Sequence, residues 1–549
     1  MSPKPLVSPA GTRDLVGLEK NAIDNIRQAI LSEFRRHGCV LVQPPVIDNV
    51  EPFVDRSGEE IRQRMYTFQD PTGRQLCLRP ELTIPTCRLY LEHCQAQQHP
   101  QRLCYDGLVF RYDPVSFGRY REFHQVGVEY FGCKAMAAAD AEAVGLAYRG
   151  VAACGVSGLQ VWLNDFELIA VALDELEVPL ATRDRIAARF SAPDVLDALQ
   201  QQAQQRPSPD QTALETAPGF EGELANLRAD NVRQFVRKIM ALTNTKELGS
   251  RSIEEIAERM VAKLERQAGT ELSPRADACL RTLLSVEGPA GEAVSRLASI
   301  ASEFQLKRVA DLVERFRVRL ECLDALGVPA SCLFVKTRLR RTLQYYTGFM
   351  FELHAPCLGG ASEVCGGGRY DHLLRSLGAA QDIPAIGFAI GVDRVYLTLC
   401  EQPTISGESS AGDQASASGQ SSDSGQSSTA AGTSADLASL PMFSNPSPID
   451  AVLTPAGPVA MGECFRIASL ARAAGWSVEV ELDGRRPKSA IAKAARHEVP
   501  HMIIVGADEL ARGGVNVKDL SSHEERFVAL GDLPSFIAAR RTAKSATQT

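Results

Sequence analysis

Hydrophobic and polar positions alternate along two adjacent runs in the first quarter of the chain. One run ends in LVFRY at 108–112, and the other covers 121–130. An alternation of period two is typical of half-buried strands, and the polar, glycine-containing segment between the runs predicts a hairpin. The same period places four residues on one face of the second strand: Phe123, Gln125, Gly127 and Glu129.

This strand face combines an amide, a carboxylate and a position without a side chain, which suits a small polar ligand. Arg111, Arg119 and Arg121 are close in sequence, and guanidinium groups bind phosphates well. An ordinary solvent-facing strand is the alternative interpretation, because such strands are common in antiparallel sheets. The alternation alone does not decide between the two.

The pattern before this hairpin predicts a helix, a strand and a second hairpin. Apolar residues recur at helical spacing over 20–37, and Gly38 ends that helix. A short apolar strand follows in CVLVQPP, and the turn DPTG then predicts a hairpin that leads to Arg79, Glu81 and Thr83. A charged strand end before a helix is the simpler interpretation of these three residues.

The pattern after the hairpin changes from mixed to helical. An alanine-rich helix is predicted over 135–152, and an alternating strand over 159–165. Charged helical sequence follows over 180–326, with a helix-start signal at Ser252 or Arg251. Strand-rich sequence resumes at 332, so we interpret the helical stretch as an insertion.

A second region with chemical character extends from 338 to 394. Three consecutive glycines at 366–368 let the backbone approach a ligand closely, and Tyr370 and Asp371 follow them directly. A flexible turn is the alternative explanation of the glycines.

The last third of the chain contains a linker and a small domain. Residues 401–448 are rich in serine, glycine and alanine, a composition that predicts a flexible linker. From 449 onward strands and helices alternate, which predicts an α/β domain with a mainly parallel sheet. Residues 448–549 hold 13 Lys plus Arg and 12 Asp plus Glu, a net charge of 13 − 12 = +1.

Composition narrows the class of protein. A chain of 549 residues predicts two or three domains, and 44% hydrophobic with 23% charged residues is typical of globular proteins. The sequence has no apolar run of membrane length and no secretion signal, so we expect a cytoplasmic protein without a membrane partner.

The 14 cysteines form no CxxC pair, which favours buried thiols and no metal site. A net charge of −8 argues against nonspecific nucleic-acid coating.

Several ordered motifs resemble one family. VFRYDPVSFGRYREFHQVGVE is similar to the motif 2 hairpin of class II aminoacyl-tRNA synthetases, and CVLVQPP to their motif 1. LRPELT, RRTLQYYTG, GGGRYD and GVDR are similar to motifs of the histidyl-tRNA synthetase branch. The resemblance implies an α+β fold: a catalytic domain built on an antiparallel sheet with a helical insertion, and a C-terminal α/β domain like the anticodon-binding domain. The implied segments are core 1–179, insertion 180–330, core 331–400, linker 401–448 and C-terminal domain 449–549.

The resemblance also implies roles for individual residues. Arg111 and Arg341 would be catalytic on the α-phosphate of ATP, and Asp113 and Arg394 would also contact ATP, which enters with Mg²⁺; no tightly bound cofactor is implied. The implied histidine-binding residues are Glu81, Thr83, Gln125, Glu129, Tyr345, Tyr346 and Tyr370.

Three positions depart from the synthetase pattern. Thr342 stands in place of glycine, Gln344 in place of aspartate, and Asp113 in place of glutamate. These departures put the synthetase chemistry in doubt.

Two functions are consistent with the resemblance. We favour a histidine–tRNA ligase that activates histidine with ATP, charges tRNA(His) and forms a homodimer. The alternative is a noncatalytic, histidine-sensing regulatory subunit that partners the catalytic subunit of ATP phosphoribosyltransferase in histidine biosynthesis. EPFVDRSGEEIRQRMYTF and RRTLQYYTGFMFE look closer to that paralogue, whereas the C-terminal domain favours the ligase. An RNA-binding adaptor is a third possibility, but it would not need so complete a small-molecule pocket.

Overall fold

A computed structural model of the 549-residue chain defines the fold. It describes residues 7–57, 59–94, 101–189, 195–197, 272–339, 345–402, 449–457, 459–484 and 487–547. The chain divides into two compact units. Unit 1 comprises Met1–Trp162, Val318–Leu333 and Thr342–Thr549, and unit 2 comprises Leu163–Arg317 and Phe334–Arg341.

The strands and helices of the described residues are numbered in chain order. The strands are β1 Val40–Val42, β2 Ile47–Asn49, β3 Tyr66–Gln69, β4 Gln75–Leu78, β5 Gln101–Phe110, β6 Glu122–Phe131, β7 Gln160–Asp165, β8 Glu287–Pro289, β9 Leu333–Lys336, β10 Phe349–His354, β11 Glu363–Arg369, β12 Ala385–Gly391, β13 Ala451–Ala456, β14 Val478–Val480, β15 His501–Gly506, β16 Gly514–Asp519 and β17 Glu525–Ala529. The helices are α1 Gly17–Arg36, α2 Glu51–Ser57, α3 Glu59–Gln63, α4 Thr83–His93, α5 Met136–Ala152, α6 Glu167–Glu175, α7 Leu180–Arg189, α8 Pro274–Leu284, α9 Ala290–Glu303, α10 Lys307–Ala325, α11 Leu373–Ser376, α12 Val392–Glu401, α13 Met461–Ala473, α14 Pro487–Arg496, α15 Ala507–Ala511 and α16 Leu533–Thr547.

The main sheet of unit 1 is largely antiparallel, as predicted. Six of its strands lie side by side in the order β1-β5-β6-β12-β11-β10. Strand β1 pairs with β5 in parallel, and the remaining neighbours in this order pair antiparallel. The predicted hairpin is therefore confirmed as β5 and β6, which pair in register from Gln101 with Phe131 to Phe110 with Glu122.

The elements before this hairpin also match their predictions. Helix α1 buries Ile23, Ile26, Ile30 and Phe34, and Gly38 follows it with a φ of +75°, a left-handed value that glycine adopts without strain. The turn after Asp70 joins β3 to β4 in the small antiparallel sheet β2-β4-β3. The helix that starts after β4 is α4, so the predicted hairpin leads directly to Glu81 and Thr83.

Unit 2 contains helices and the antiparallel pair of β8 and β9. Helix α8 begins as the sequence favours, because the Ser273 hydroxyl accepts from the Ala276 amide and Pro274 occupies the first turn. Asn164 donates to the carbonyls of Thr337 at 3.1 Å and Leu339 at 2.9 Å, which ties β7 to the chain after β9. Strand β8 lies inside the predicted helical insertion, and the helix start at Ser252 lies outside the described residues.

The C-terminal domain has the strand order β14-β13-β15-β16-β17. Strand β13 pairs in parallel with β14 and β15, whereas β16 pairs antiparallel with both β15 and β17. The mainly parallel sheet is therefore confirmed only for the first three strands. Only the short helix α15 separates β15 from β16, which is too little chain for a parallel crossover. Strand β17 was not predicted.

No helix in the part of the chain that the structure describes is long and apolar enough to cross a membrane. The predicted linker falls almost wholly on 403–448, outside the described residues.

Candidate functional site

Glu129 of β6 lies at the centre of a group of hydroxyl donors in unit 1. Its side chain is fully buried. The Thr83 hydroxyl donates to Oε1 at 2.8 Å, the Tyr105 hydroxyl donates to Oε1 at 3.2 Å, and the Tyr370 hydroxyl donates to Oε2. Burial raises the pKa of Glu129 to about 8, although the hydroxyl donors favour the ionised form. At neutral pH this carboxyl group is therefore mostly protonated, and it ionises as the pH rises through 8.

Two glycines make room for this carboxyl group. In the sheet Glu129 pairs with Gly387 of β12, and Gly127 pairs with Tyr105 of β5. A Cβ at Gly387 would overlap the Glu129 carboxylate, and a Cβ at Gly127 would overlap the Tyr105 hydroxyl. The predicted gap at Gly127 on this strand face is therefore present, and it leaves space for the Tyr105 side chain of the neighbouring strand.

Glu81 lies at the start of α4 and holds the backbone of that helix. Its Oε2 accepts from the Thr83 amide at 2.6 Å, and its Oε1 accepts from the Ile84 amide at 2.9 Å. Burial raises the pKa of Glu81. The carboxylate thus satisfies amides that a helix start leaves unpaired, and it places Thr83 against Glu129.

Three tyrosines stand together beside the carboxyl group. The ring centroid of Tyr345 lies 4.9 Å from that of Tyr346 and 5.8 Å from that of Tyr370. Tyr345 and Tyr370 are buried, and burial raises the pKa of both. Tyr370 therefore contacts Glu129, and the ring of Tyr345 packs against the ring of Tyr370. The ring of Tyr346 packs in turn against that of Tyr345.

Gln125 carries an unused acceptor. The residue is buried, and its Oε1 has no hydrogen-bond partner among the described residues. It lies four positions before Glu129 on the same strand, so the two side chains share a face. A buried amide oxygen without a donor is costly, and a bound ligand with an N–H group would satisfy it.

Asp113 and Arg394, which are predicted to contact ATP, form hydrogen bonds with other groups of the chain. Arg64 donates to Asp113 through Nε at 2.5 Å and through Nη2 at 2.6 Å. Arg394 donates to the carbonyls of Glu363 at 2.5 Å and Gly118 at 3.3 Å. ATP binding by these residues stays a prediction.

The two predicted catalytic arginines have different outcomes. Arg111 donates from Nε to the Pro80 carbonyl at 2.7 Å and lies over the Phe123 ring, with its pKa lowered by burial. Arg341 lies outside the described residues.

Sequence reasoning missed Tyr105 and Arg64. Tyr105 lies opposite Gly127 in the hairpin, so counting the pairing back from the turn would have found it. Arg64 lies in the loop before β3, 49 residues from Asp113, and no local pattern links the two.

Comparison with known proteins identifies the family. The sequence model of the family described as histidyl-tRNA synthetase matches residues 11–234 and 231–395. The chain belongs to the histidyl-tRNA synthetase family. A separate model described as an anticodon binding domain matches residues 450–540. This family contains the motifs that we compared, and its fold agrees with the observed architecture.

Curated relatives within this family are regulatory subunits. A protein of Allorhizobium ampelinum named ATP phosphoribosyltransferase regulatory subunit is 37% identical over 67% of this chain and 96% of its own length. A Sinorhizobium medicae protein of the same name is 34% identical over 67% of this chain and 95% of its own length. One similar solved structure, from Bacillus halodurans, is described as an ATP phosphoribosyltransferase regulatory subunit/histidyl-tRNA synthetase. Its TM-score is 0.50 at 19% sequence identity, and the match covers 92% of this chain and 100% of that chain. The structural likeness supports the fold alone.

These relatives overturn the function that we favoured. The expectation of a histidine–tRNA ligase, an enzyme of protein biosynthesis, is wrong, because the relatives at 34–37% identity over two thirds of the chain are regulatory subunits. The structure offers a physical reason at one departure from the synthetase motifs: the shorter Asp113 is paired with Arg64 through both of its oxygens. The C-terminal domain, which favours the ligase on sequence grounds, does not outweigh these relatives.

Proposed function

We propose that the protein is a noncatalytic regulatory subunit of ATP phosphoribosyltransferase that senses histidine in the pocket around Glu129. The observation that carries the proposal is the similarity to regulatory subunits over nearly their whole length. The pocket supports it, because its buried acceptors suit a small ligand that carries several N–H donors. Histidine carries such donors on its ammonium group and on its imidazole ring.

The charge of the pocket favours a cationic or strongly donating ligand. Glu129 is fully buried, so ionising it is costly even though it accepts from three hydroxyl groups. A ligand N–H group placed against this carboxylate compensates that cost, and the free oxygen of Gln125 offers a second acceptor. The tyrosine rings beside it supply flat apolar surface for an imidazole ring.

Regulation requires that ligand binding changes the affinity for the catalytic subunit. Such coupling between sites is typically about 1–3 kcal/mol, and it acts reciprocally on both ligands. Thr83 and Glu81 connect the pocket to the start of α4, so we propose this helix as the first element to respond.

The protein as a homodimer is a further part of this proposal. Leu41 of β1 and Ile47 of β2 are 47% and 50% exposed, in the segment that resembles motif 1. Light scattering of the full chain tests this part: a monomer at all concentrations would exclude it.

The regulatory role is tested by reconstitution with a short ATP phosphoribosyltransferase that lacks its own regulatory domain. We expect the full chain to activate the transferase and histidine to inhibit the mixture. Glu129→Gln should still activate but lose most histidine inhibition. Tyr148→Phe, on helix α5 and outside the group of hydroxyl donors to Glu129, is the matched control and should behave as wild type. A mixture that shows neither activation nor histidine inhibition would refute the regulatory role.

A further inference from the structure

The C-terminal domain contacts the main sheet and α5 through a buried group of charges, which we call the interface cluster. Glu142 of α5 accepts from Arg102 at 3.0 Å and from Arg472 of α13 at 3.3 Å. Glu479 of β14 pairs with Arg102 at 3.2 Å and with Lys493 of α14 at 3.1 Å. The cluster comprises Arg102, Tyr130, Glu142, Arg149, Arg472, Glu479 and Lys493.

The interface cluster has an excess of positive charge. It holds three arginines and one lysine against two glutamates, a net of 4 − 2 = +2. The side chains of Arg102, Arg472 and Glu142 are 4%, 5% and 0% exposed, so water screens them poorly. A buried charge without a counter-charge is strongly unfavourable.

Neighbouring groups do not remove this excess. His37 adds no charge: its Nδ1 donates to the Glu33 carbonyl at 2.8 Å, its Nε2 accepts from Arg149 at 2.6 Å, and burial lowers its pKa. The Glu33 carboxylate attracts Arg149, but it also forms an ion pair with Arg36 at 2.6 Å, so Glu33 and Arg36 together add no net charge.

The cluster also contains donors that lack an acceptor. Arg102 Nε, Arg149 Nε, Arg472 Nη1 and the Tyr130 hydroxyl are buried and have no hydrogen-bond partner among the described residues. Arg102 and Arg472 reach the two oxygens of the same carboxylate, and the Arg102 guanidinium lies 5.2 Å from the centre of the Tyr130 ring. Arg102 and Arg472 therefore meet at Glu142, and Tyr130 lies beside Arg102.

We propose that the interface cluster binds one small inorganic anion, of which chloride is the most abundant example, between Arg102, Arg472 and Tyr130. A water molecule would satisfy some of the donors but would leave the charge at +2. A monovalent anion between these three residues accepts from their unpaired donors and lowers the net charge to +1. Arg102 and Tyr130 belong to the main sheet and Arg472 belongs to the C-terminal domain. The bound anion therefore links the two. This site is independent of the histidine pocket and of the regulatory role.

Crystals of the full chain grown with bromide in place of chloride test the site directly. We expect an anomalous peak at the bromine absorption edge within hydrogen-bond distance of Arg472 and Tyr130. Water density at that position without anomalous signal would overturn the proposal, as would bromide found only at the protein surface.

Thermal unfolding of the full chain provides a second test. We expect the melting temperature to rise with sodium chloride relative to sodium gluconate at equal ionic strength, with saturation of a single site. Arg472→Met should abolish this chloride dependence. Arg466→Met is the matched control, because Arg466 is exposed on the same helix and pairs with Glu463 one turn away.

Tyr130→Phe removes a single hydroxyl group, so it tests the site even when Arg472→Met does not fold. It should raise the chloride concentration at half saturation by about tenfold, as expected for one lost hydrogen bond to a charged group. Equal chloride and gluconate curves for the wild-type chain, or identical chloride dependence in Arg472→Met and Arg466→Met, would overturn the proposal.

Discussion

Thr83 donates a hydrogen bond of 2.8 Å to Glu129, and this bond joins the first residue of α4 to the last third of β6 across 46 positions of sequence. Glu81 fixes the Thr83 amide at the same time. A ligand that draws on the Glu129 carboxylate therefore competes with a bond that positions a helix. This link gives the pocket a physical route by which binding can change the structure outside it.

The raised pKa of Glu129 predicts a pH-dependent stability. Unfolded glutamate titrates near 4.5 and folded Glu129 near 8, so the folded state holds the extra proton between these values. Stability contributed by this residue is therefore greatest below pH 4.5 and falls as the pH rises through 8, by on the order of 1 kcal/mol per pH unit. Urea unfolding of the wild-type chain and of Glu129→Gln from pH 5 to 8.5 measures the difference. Parallel stability curves would show that Glu129 does not titrate in this range.

The same carboxyl group predicts proton release when histidine binds. At pH 7 Glu129 holds a proton for most of the time, and an N–H donor or cation from the ligand favours the ionised form. Calorimetry in two buffers of different ionisation enthalpy should therefore show close to one proton released per histidine. Binding heats that do not depend on the buffer would place the ligand away from this carboxyl group.

Much of the site was predictable because strands have a strict period of two. Gln125, Gly127 and Glu129 could be assigned to one face from the alternation, and the structure buries Gln125 and Glu129 there. Glu81 was predicted for a ligand contact, which no observation tests, and its bonds to the α4 amides were not foreseen because helix capping depends on where the helix starts. The pairing of Arg64 with Asp113 was equally hidden, since it brings together a loop and a hairpin end that share no pattern.

The interface cluster could not be predicted for a similar reason. Arg102 lies before the run at 108–112 that we predicted as a strand, Glu142 lies in the predicted alanine-rich helix, and Arg472 lies more than 300 positions farther along. Charges within such segments usually face solvent, and only the packing of the C-terminal domain buries them.

Tyr370→Phe should weaken histidine binding without unfolding the protein. The variant loses one hydroxyl that donates to a carboxylate, a bond worth about 1.5–3 kcal/mol, or roughly ten- to a hundredfold in affinity. Calorimetric titration measures the change, with Tyr148→Phe as the control. An unchanged histidine affinity in Tyr370→Phe would show that this hydroxyl group does not contribute to histidine binding.

Gly387→Ala tests whether the space beside Glu129 is needed. The added Cβ would overlap the carboxylate, so we expect histidine binding to be lost and the pH dependence of stability to change. Gly291→Ala is the matched control, because a Cβ there meets no atom within 4 Å. Wild-type histidine affinity in Gly387→Ala would mean that Glu129 can move aside without cost, which contradicts a tightly held carboxyl group.

The absence of ligase activity is the last prediction, and it separates binding from catalysis. In the structure Asp113 is paired with Arg64, and Arg394 donates to two carbonyl groups, so ATP would have to displace these bonds before any transfer to its α-phosphate. We expect the full chain to bind histidine, to show no histidine-dependent pyrophosphate exchange and to leave tRNA(His) uncharged. An active histidyl-tRNA synthetase in the same assay is the positive control. Pyrophosphate exchange that is lost in Arg111→Ala would restore the ligase interpretation, whereas histidine binding without exchange agrees with a sensor.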